Sequence, residues 1–154
     1  VRTYTTCYHS AIGPFEIVGT PKGILTITFN KEPSVLDRNL PACMKDCTRQ
    51  LDEYFKGRRR QFSVPLLLKG TAFQKAVWRQ LKKIPFGQTA SYGDVARAIG
   101  RPKAFRAVGS ANHKNPVPVI IPCHRVIGSD GKLVGFGGGI WRKQWLLDHE
   151  QSLR

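Results

Sequence analysis

A thiol and an imidazole stand side by side at Cys123 and His124, within Pro122-Cys123-His124-Arg125-Val126 and directly after the apolar run Val117-Pro118-Val119-Ile120-Ile121. Further on comes Glu150, in a stretch that reads as a C-terminal helix. Thiol, imidazole and carboxylate are the parts that make and hold a thiolate nucleophile. His124 can take the thiol proton directly or through a water, and Glu150 can orient the ring and stabilise its charged form. Pro118 and Pro122 stiffen the approach to the thiol. An isolated Cys-His pair is more often a small buried hydrophobe beside a satisfied loop histidine. Two neighbouring features oppose that reading here. Asn115-Pro116 is a turn signal whose amide could tie the Cys123 loop to the helix before it. Gly135-Phe136-Gly137-Gly138-Gly139 can bring backbone N–H groups close to a ligand, with Phe136 offering a face to a planar ring. A hydrolase could use the same donors as an oxyanion hole.

The elements that must position these groups sit in a chain of 154 residues, one ordinary domain or two small ones. Hydrophobic content of 41% and charged content of 23% belong to a globular protein. Lys and Arg number 25 against 10 Asp and Glu, a formal charge of +15. Residues 1–65 carry a surplus of +4 and residues 66–154 a surplus of +11, so the excess is concentrated around the thiol. A polyanion held near the chemistry is the expected partner, nucleic acid ahead of a membrane surface. No run is long and apolar enough for a membrane span. Val1–Thr6 has no signal-peptide pattern, and four cysteines without a disulfide framework suggest a reduced, cytoplasmic setting.

Phe15–Val18 and Ile24–Phe29 read as strands joined at Pro21-Lys22-Gly23. From Cys43 the period changes: Cys43, Cys47, Leu51, Tyr54 and Phe55 form one stripe of a helix that stops at Gly57. Cys43 and Cys47 could ligate a metal, with Cys7 and His9 as further ligands, but core packing is the favoured reading. Thr71-x-x-Gln74 and Ser91-x-x-Asp94 are capping boxes opening two helices. Gly100 closes the second, and Pro102 sits where the first residue of another helix belongs. That pair forms a helix-turn-helix candidate. Arg101, Lys103, Arg106, His113 and Lys114 supply cations for phosphates, and small residues between them admit a close partner. The expected class is α+β: a small N-terminal α/β-type domain with an antiparallel sheet over 1–65, then a mostly helical domain with a helix-turn-helix over 66–154.

Asn115-Pro-Val-Pro-Val-Ile-Ile-Pro-Cys-His-Arg-Val126 resembles the active-site signature of the O6-alkylguanine-DNA alkyltransferases. The likeness extends through Phe73–Trp78, Ile84–Gly87, Ser91-Tyr92, Pro102–Gly109 and Leu146–Glu150, and more loosely through Ile12–Pro14 and Asp52–Gly57. The resemblance implies that Cys123 accepts the alkyl group of O6-alkylguanine, and of O4-alkylthymine, by in-line displacement. It also implies that His124 deprotonates the thiol through a water while Glu150 orients it, and that Tyr92 donates to the ring nitrogen of the departing guanine. The carbonyls of Cys123 and Val126 would read the guanine amino group, with Pro118, Phe136 and Gly137 lining the pocket. Arg106 would fill the stack left by a flipped nucleotide, and the helix-turn-helix would enter the minor groove of double-stranded DNA. Ser129 and Tyr92 would contact phosphates. Each monomer would act once, without a cofactor.

Departures from the pattern are Phe136, where many relatives have Tyr, and Gly137, where some have Ser or Ala. Stacking survives these changes, but a side-chain hydroxyl toward O6 does not. Some relatives bind structural zinc in the first domain; that ligand pattern is not recognisable here, and no metal is expected. A DNA-binding module without chemistry and a thiol hydrolase are the competing readings.

Overall fold

A computed structural model describes residues 2–154 and divides into two compact units, Val1–Lys69 and Gly70–Arg154. In the first, strands β1 (Tyr4–Ser10), β2 (Gly13–Thr20) and β3 (Gly23–Phe29) form an antiparallel sheet in the order β1-β2-β3. Alternation puts Phe15 and Ile17 of β2 and Ile27 of β3 into the core. Helix α1 (Ala42–Phe55) buries Cys43, Met44, Cys47, Gln50, Leu51 and Tyr54; of the stripe expected from the sequence, Phe55 stays half-buried. Cys43 donates its thiol to Thr20 O, and Cys43 and Cys47 share the interior with the aromatic residues. A β-bulge at Val18/Gly19 needs glycine, since a Cβ at 19 would lie 2.9 Å from Gly23 O.

Two features depart from expectation. Strand β1 escaped the sequence reading because only Thr6 along it is buried. Leu66 is bridged to Ile24, with Ile24 N donating to Pro65 O and Leu67 N to Ile24 O, so the apolar run Leu66–Leu68 stays with the sheet.

In the second unit, both capping boxes form. Thr71 and Gln74 open α2 (Ala72–Leu81), and Ser91 and Asp94 open α3 (Tyr92–Ala98). Helix α4 runs Phe105–His113, and Trp78 Nε1 of α2 donates to Ala111 O at its end at 2.9 Å. Pro102 is not the first residue of this helix. Ala104 N bonds Arg101 O, so Pro102 occupies the second place of a β-turn, another position its fixed φ suits. Lys103 therefore lies in that turn and Lys114 caps the helix C-terminus, leaving Arg106 and His113 on the helix itself. A short parallel pair, β4 (Ala90–Ser91) with β5 (Val126–Ile127), brings the start of α3 beside the residues after the thiol. Helix α5 (Ile140–Ser152) closes the unit. No described helix is long and apolar enough to cross a membrane.

Candidate active site

Cys123, His124 and Arg125 form a single 3₁₀ turn, and all three are buried. The turn is reached through a strained approach: Val119 has φ 75° and is 1% exposed. Positive φ in a β-branched residue costs about 1–3 kcal/mol and persists only where surroundings impose it. Here Ile121 N bonds Val117 O across the turn, Pro118 bridges Ile121, and Asn115 Nδ2 donates to Ile121 O at 2.7 Å. Asn115 Oδ1 also accepts from Val117 N. The expected tie between this loop and the helix before it is therefore made by the Asn115 amide, which follows the Lys114 cap of α4.

His124 and Glu150 meet as their types suggested, with Nε2 2.6 Å from Glu150 Oε2. A carboxylate only accepts, so Nε2 carries the proton and Nδ1 keeps its lone pair. Nδ1 is buried with no hydrogen-bond partner among the described residues. Burial lowers the His124 pKa more than Glu150 raises it, so the ring is a neutral base at rest. Glu150 stays ionised. Burial alone would raise its carboxyl, but His124 and Arg125 outweigh that and hold it well below the usual carboxylate range.

Arg125 is the partner that sequence reasoning missed. Its Nε donates to Glu150 Oε1 at 2.8 Å, Nη2 to Oε2 at 3.0 Å, and Nη1 to Ile84 O at 2.7 Å. Gly87 N adds a bond to Glu150 Oε1, and Gln151 Nε2 donates to Gly87 O. The forked pair neutralises the carboxylate and fixes its plane, and with it the imidazole. Lys143 was missed too. It is fully buried on α5 and donates to Val126 O and to Val134 O. A lysine in register with Leu146, Leu147 and Glu150 was the available signal, because those positions share one helical stripe.

The surroundings do not favour an ionised sulfur at rest, so the thiolate has to be made by proton transfer. Burial pushes the Cys123 thiol up to about 11, while the Asn115 amide, the Lys143 charge and backbone N–H groups act the other way. Cys123 is 5% exposed, and its resting form is the thiol. Tyr92 comes near it: burial and the Cys123 charge raise its pKa, and its hydroxyl donates to Val134 O at 3.2 Å. Gly109 of α4 faces the Tyr92 ring, and Gly135 faces its hydroxyl. Phe136 is buried and Gly137 is exposed near His113, so the glycine loop borders both helices of the pair. Pro118 and Val126 are buried, Pro118 bridged to Ile121 before the turn and Val126 directly after it. The Val126 carbonyl accepts from Lys143, and the Cys123 carbonyl accepts both from Asn112 Nδ2 at 3.4 Å and from the Val126 N–H. Arg101, Lys103, Arg106 and Ser129 are all exposed, outside this cluster.

The description "6-O-methylguanine DNA methyltransferase, ribonuclease-like domain" matches residues 3–68, and "6-O-methylguanine DNA methyltransferase, DNA binding domain" matches residues 72–152. The chain belongs to the 6-O-methylguanine DNA methyltransferase family. The methylated-DNA–protein-cysteine methyltransferase of Methanosarcina acetivorans is 42% identical over 156 residues, covering 97% of this chain and 99% of the relative. The crystal structure of Mycobacterium tuberculosis O6-methylguanine methyltransferase matches with a TM-score of 0.89 at 42% identity, covering 99% of this chain and 95% of that one. Mycobacterium tuberculosis OGT in complex with DNA matches at 0.87 and 43% identity, covering 99% and 94%. Within this family frame the two units take the roles of a sheet domain and a helical DNA-binding domain.

Proposed function

We propose that the protein repairs DNA by direct reversal, moving the alkyl group of O6-alkylguanine, and of O4-alkylthymine, irreversibly onto Cys123. The observation that carries the site assignment is the buried chain Arg125–Glu150–His124 beside the thiol, with the lone pair of His124 Nδ1 unengaged. His124 takes the Cys123 proton through a bridging water and becomes imidazolium against the Glu150 carboxylate. The sulfur then attacks the alkyl carbon in line, a C–S bond forms, and the C–O6 bond breaks with its electron pair going to guanine. Tyr92 donates to the guanine ring nitrogen as that charge develops. Lys143 and the Asn115 amide steady the sulfur while it is negative.

Because the resting thiol is protonated, attack waits on the transfer of its proton to His124. A thioether is not hydrolysed under ordinary conditions, so each chain reacts once and no cofactor takes part. The added methyl overpacks a buried loop and destabilises the spent protein.

Double-stranded DNA binds along the α3–α4 pair from the minor groove, and the damaged nucleotide is flipped into the pocket. Arg106, exposed on α4, fills the gap, while Arg101, Lys103 and Ser129 hold phosphates. Small side chains at Ala104, Ala107 and Gly109 support close approach of the backbone. The protein acts as a monomer in the cytoplasm, a reducing setting in which its four cysteines stay free.

Intact-mass spectrometry after incubation with an O6-methylguanine duplex tests this reading. One added methyl per chain, mapped to Cys123, is expected. Demethylation by a Cys123→Ala protein would overturn it, and binding without transfer would favour a damage-recognition module.

A further inference from the structure

Cys7 and His9 occupy alternate positions of β1, so both side chains leave the same face of the sheet. That face is opposite Tyr8, whose ring packs against Phe15 and Phe55. Glu32, just beyond β3, brings its carboxylate to the same point. Its Oε1 lies 2.8 Å from His9 Nε2, and Cys7 Sγ lies 3.9 Å from that same nitrogen. All three donor atoms fall within 4.8 Å of one another. The bond between His9 Nε2 and Glu32 holds those two together; Cys7 Sγ, at 3.9 Å from the same nitrogen, has at most a weak share of its proton and is the donor that hydrogen bonding explains least.

We propose that Cys7, His9 and Glu32 form a binding site for a thiophilic divalent cation of the zinc class, with a fourth coordination position open to solvent. Sulfur, imidazole nitrogen and carboxylate oxygen are the donors zinc takes. Bond lengths of about 2.0–2.3 Å around a tetrahedral ion place its donors roughly 3.3–3.7 Å apart. The observed 2.8 and 3.9 Å bracket that spacing, so small side-chain rotations complete the site.

Binding releases the Cys7 thiol proton and any proton on His9 Nε2, and the two anionic donors balance the dication. Burial, then the charge of Glu32, push the Cys7 thiol up, with a smaller contribution from Glu16. Glu16 faces Cys7 across the β1–β2 pair and is itself held by Lys31 at 3.3 Å. The ion would staple the segment after β3 onto β1 and takes no part in the alkyl transfer proposed above.

Cobalt(II) is the probe, titrated into full-length Cys123→Ser protein so that the acceptor thiol is not a competing ligand. One equivalent should bind with tetrahedral ligand-field bands and a thiolate-to-cobalt charge-transfer band. Adding Cys7→Ser should remove the charge-transfer band, and His9→Ala should weaken binding about tenfold or more. Zinc(II) should raise the Tm of the Cys123→Ser protein and not that of the Cys7→Ser/Cys123→Ser protein. A charge-transfer band that survives Cys7→Ser, or no band with stoichiometric cobalt, overturns the proposal. Methyl transfer by a Cys7→Ser protein with Cys123 intact should be unchanged, which separates this site's failure from that of the repair reading.

Discussion

Cys47 and Cys123 are both buried thiols, and burial pushes both up, to about 12 and about 11. Their difference lies in what surrounds the sulfur once its proton leaves. On α1, Cys47 has apolar neighbours and the further thiol Cys43, whose charge would only raise it more. In the 3₁₀ turn, Cys123 has an amide, a lysine charge, backbone N–H groups and a neutral imidazole beside it in sequence. Both thiols rest protonated, yet only one sits among groups able to receive the charge. A low resting pKa is thus a poor marker of this kind of acceptor; a prepared polar shell is a better one.

Five substitutions and a change of pH would break or sharpen that contrast. Cys123→Ser should abolish methyl transfer completely while Cys47→Ser retains it, read as added mass per chain. Next in size, Glu150→Gln should cost about 3–5 kcal/mol in urea unfolding, because it leaves the buried Arg125 charge unpaired. Pairing it with Arg125→Met should recover much of that stability but not the transfer rate, since His124 would still lack its carboxylate. Cys47→Ser should cost about 1–3 kcal/mol, the penalty of a hydroxyl buried without a partner.

Smallest is a pH effect on Tm. His124 is held below 6.5 in the fold, so the unfolded chain binds its proton first and stability falls as pH drops through 6.5. Glu150 is depressed as well, and its contribution, present above 4.5, is lost below that value. The thiols, all four of them raised, act at the other end: above their ordinary value of 9.0 the unfolded chain ionises first and stability declines. His124→Gln should flatten the limb between 6.5 and 4.5, and an unaltered profile would deny the neutral imidazole.

What the sequence made legible was local. The boxes Thr71/Gln74 and Ser91/Asp94 are written in four residues each, and both close as expected. The Cys123–His124–Glu150 set was recognisable by type, and the structure joins its imidazole and carboxylate. Pro102 was ambiguous for a physical reason, because one fixed φ serves both a helix start and the second place of a turn. Strand β1 lacked the apolar alternation that marks a half-buried strand. The clasp of Arg125 on Glu150 spans 25 residues, and no spacing rule pairs a turn arginine with one helical carboxylate over another. Glu32 joining Cys7 and His9 was hidden in the same way, since the pairing passes through the sheet's register.

A branched side chain stands at 119 where the backbone geometry asks for glycine. Glycine there would relax the bend and ease folding, yet it would empty a buried site in the segment that leads into the Cys123 turn and loosen the thiol's footing. Natural variation at this residue should therefore trade expression yield against aim: the fastest-maturing proteins would be the poorest shots.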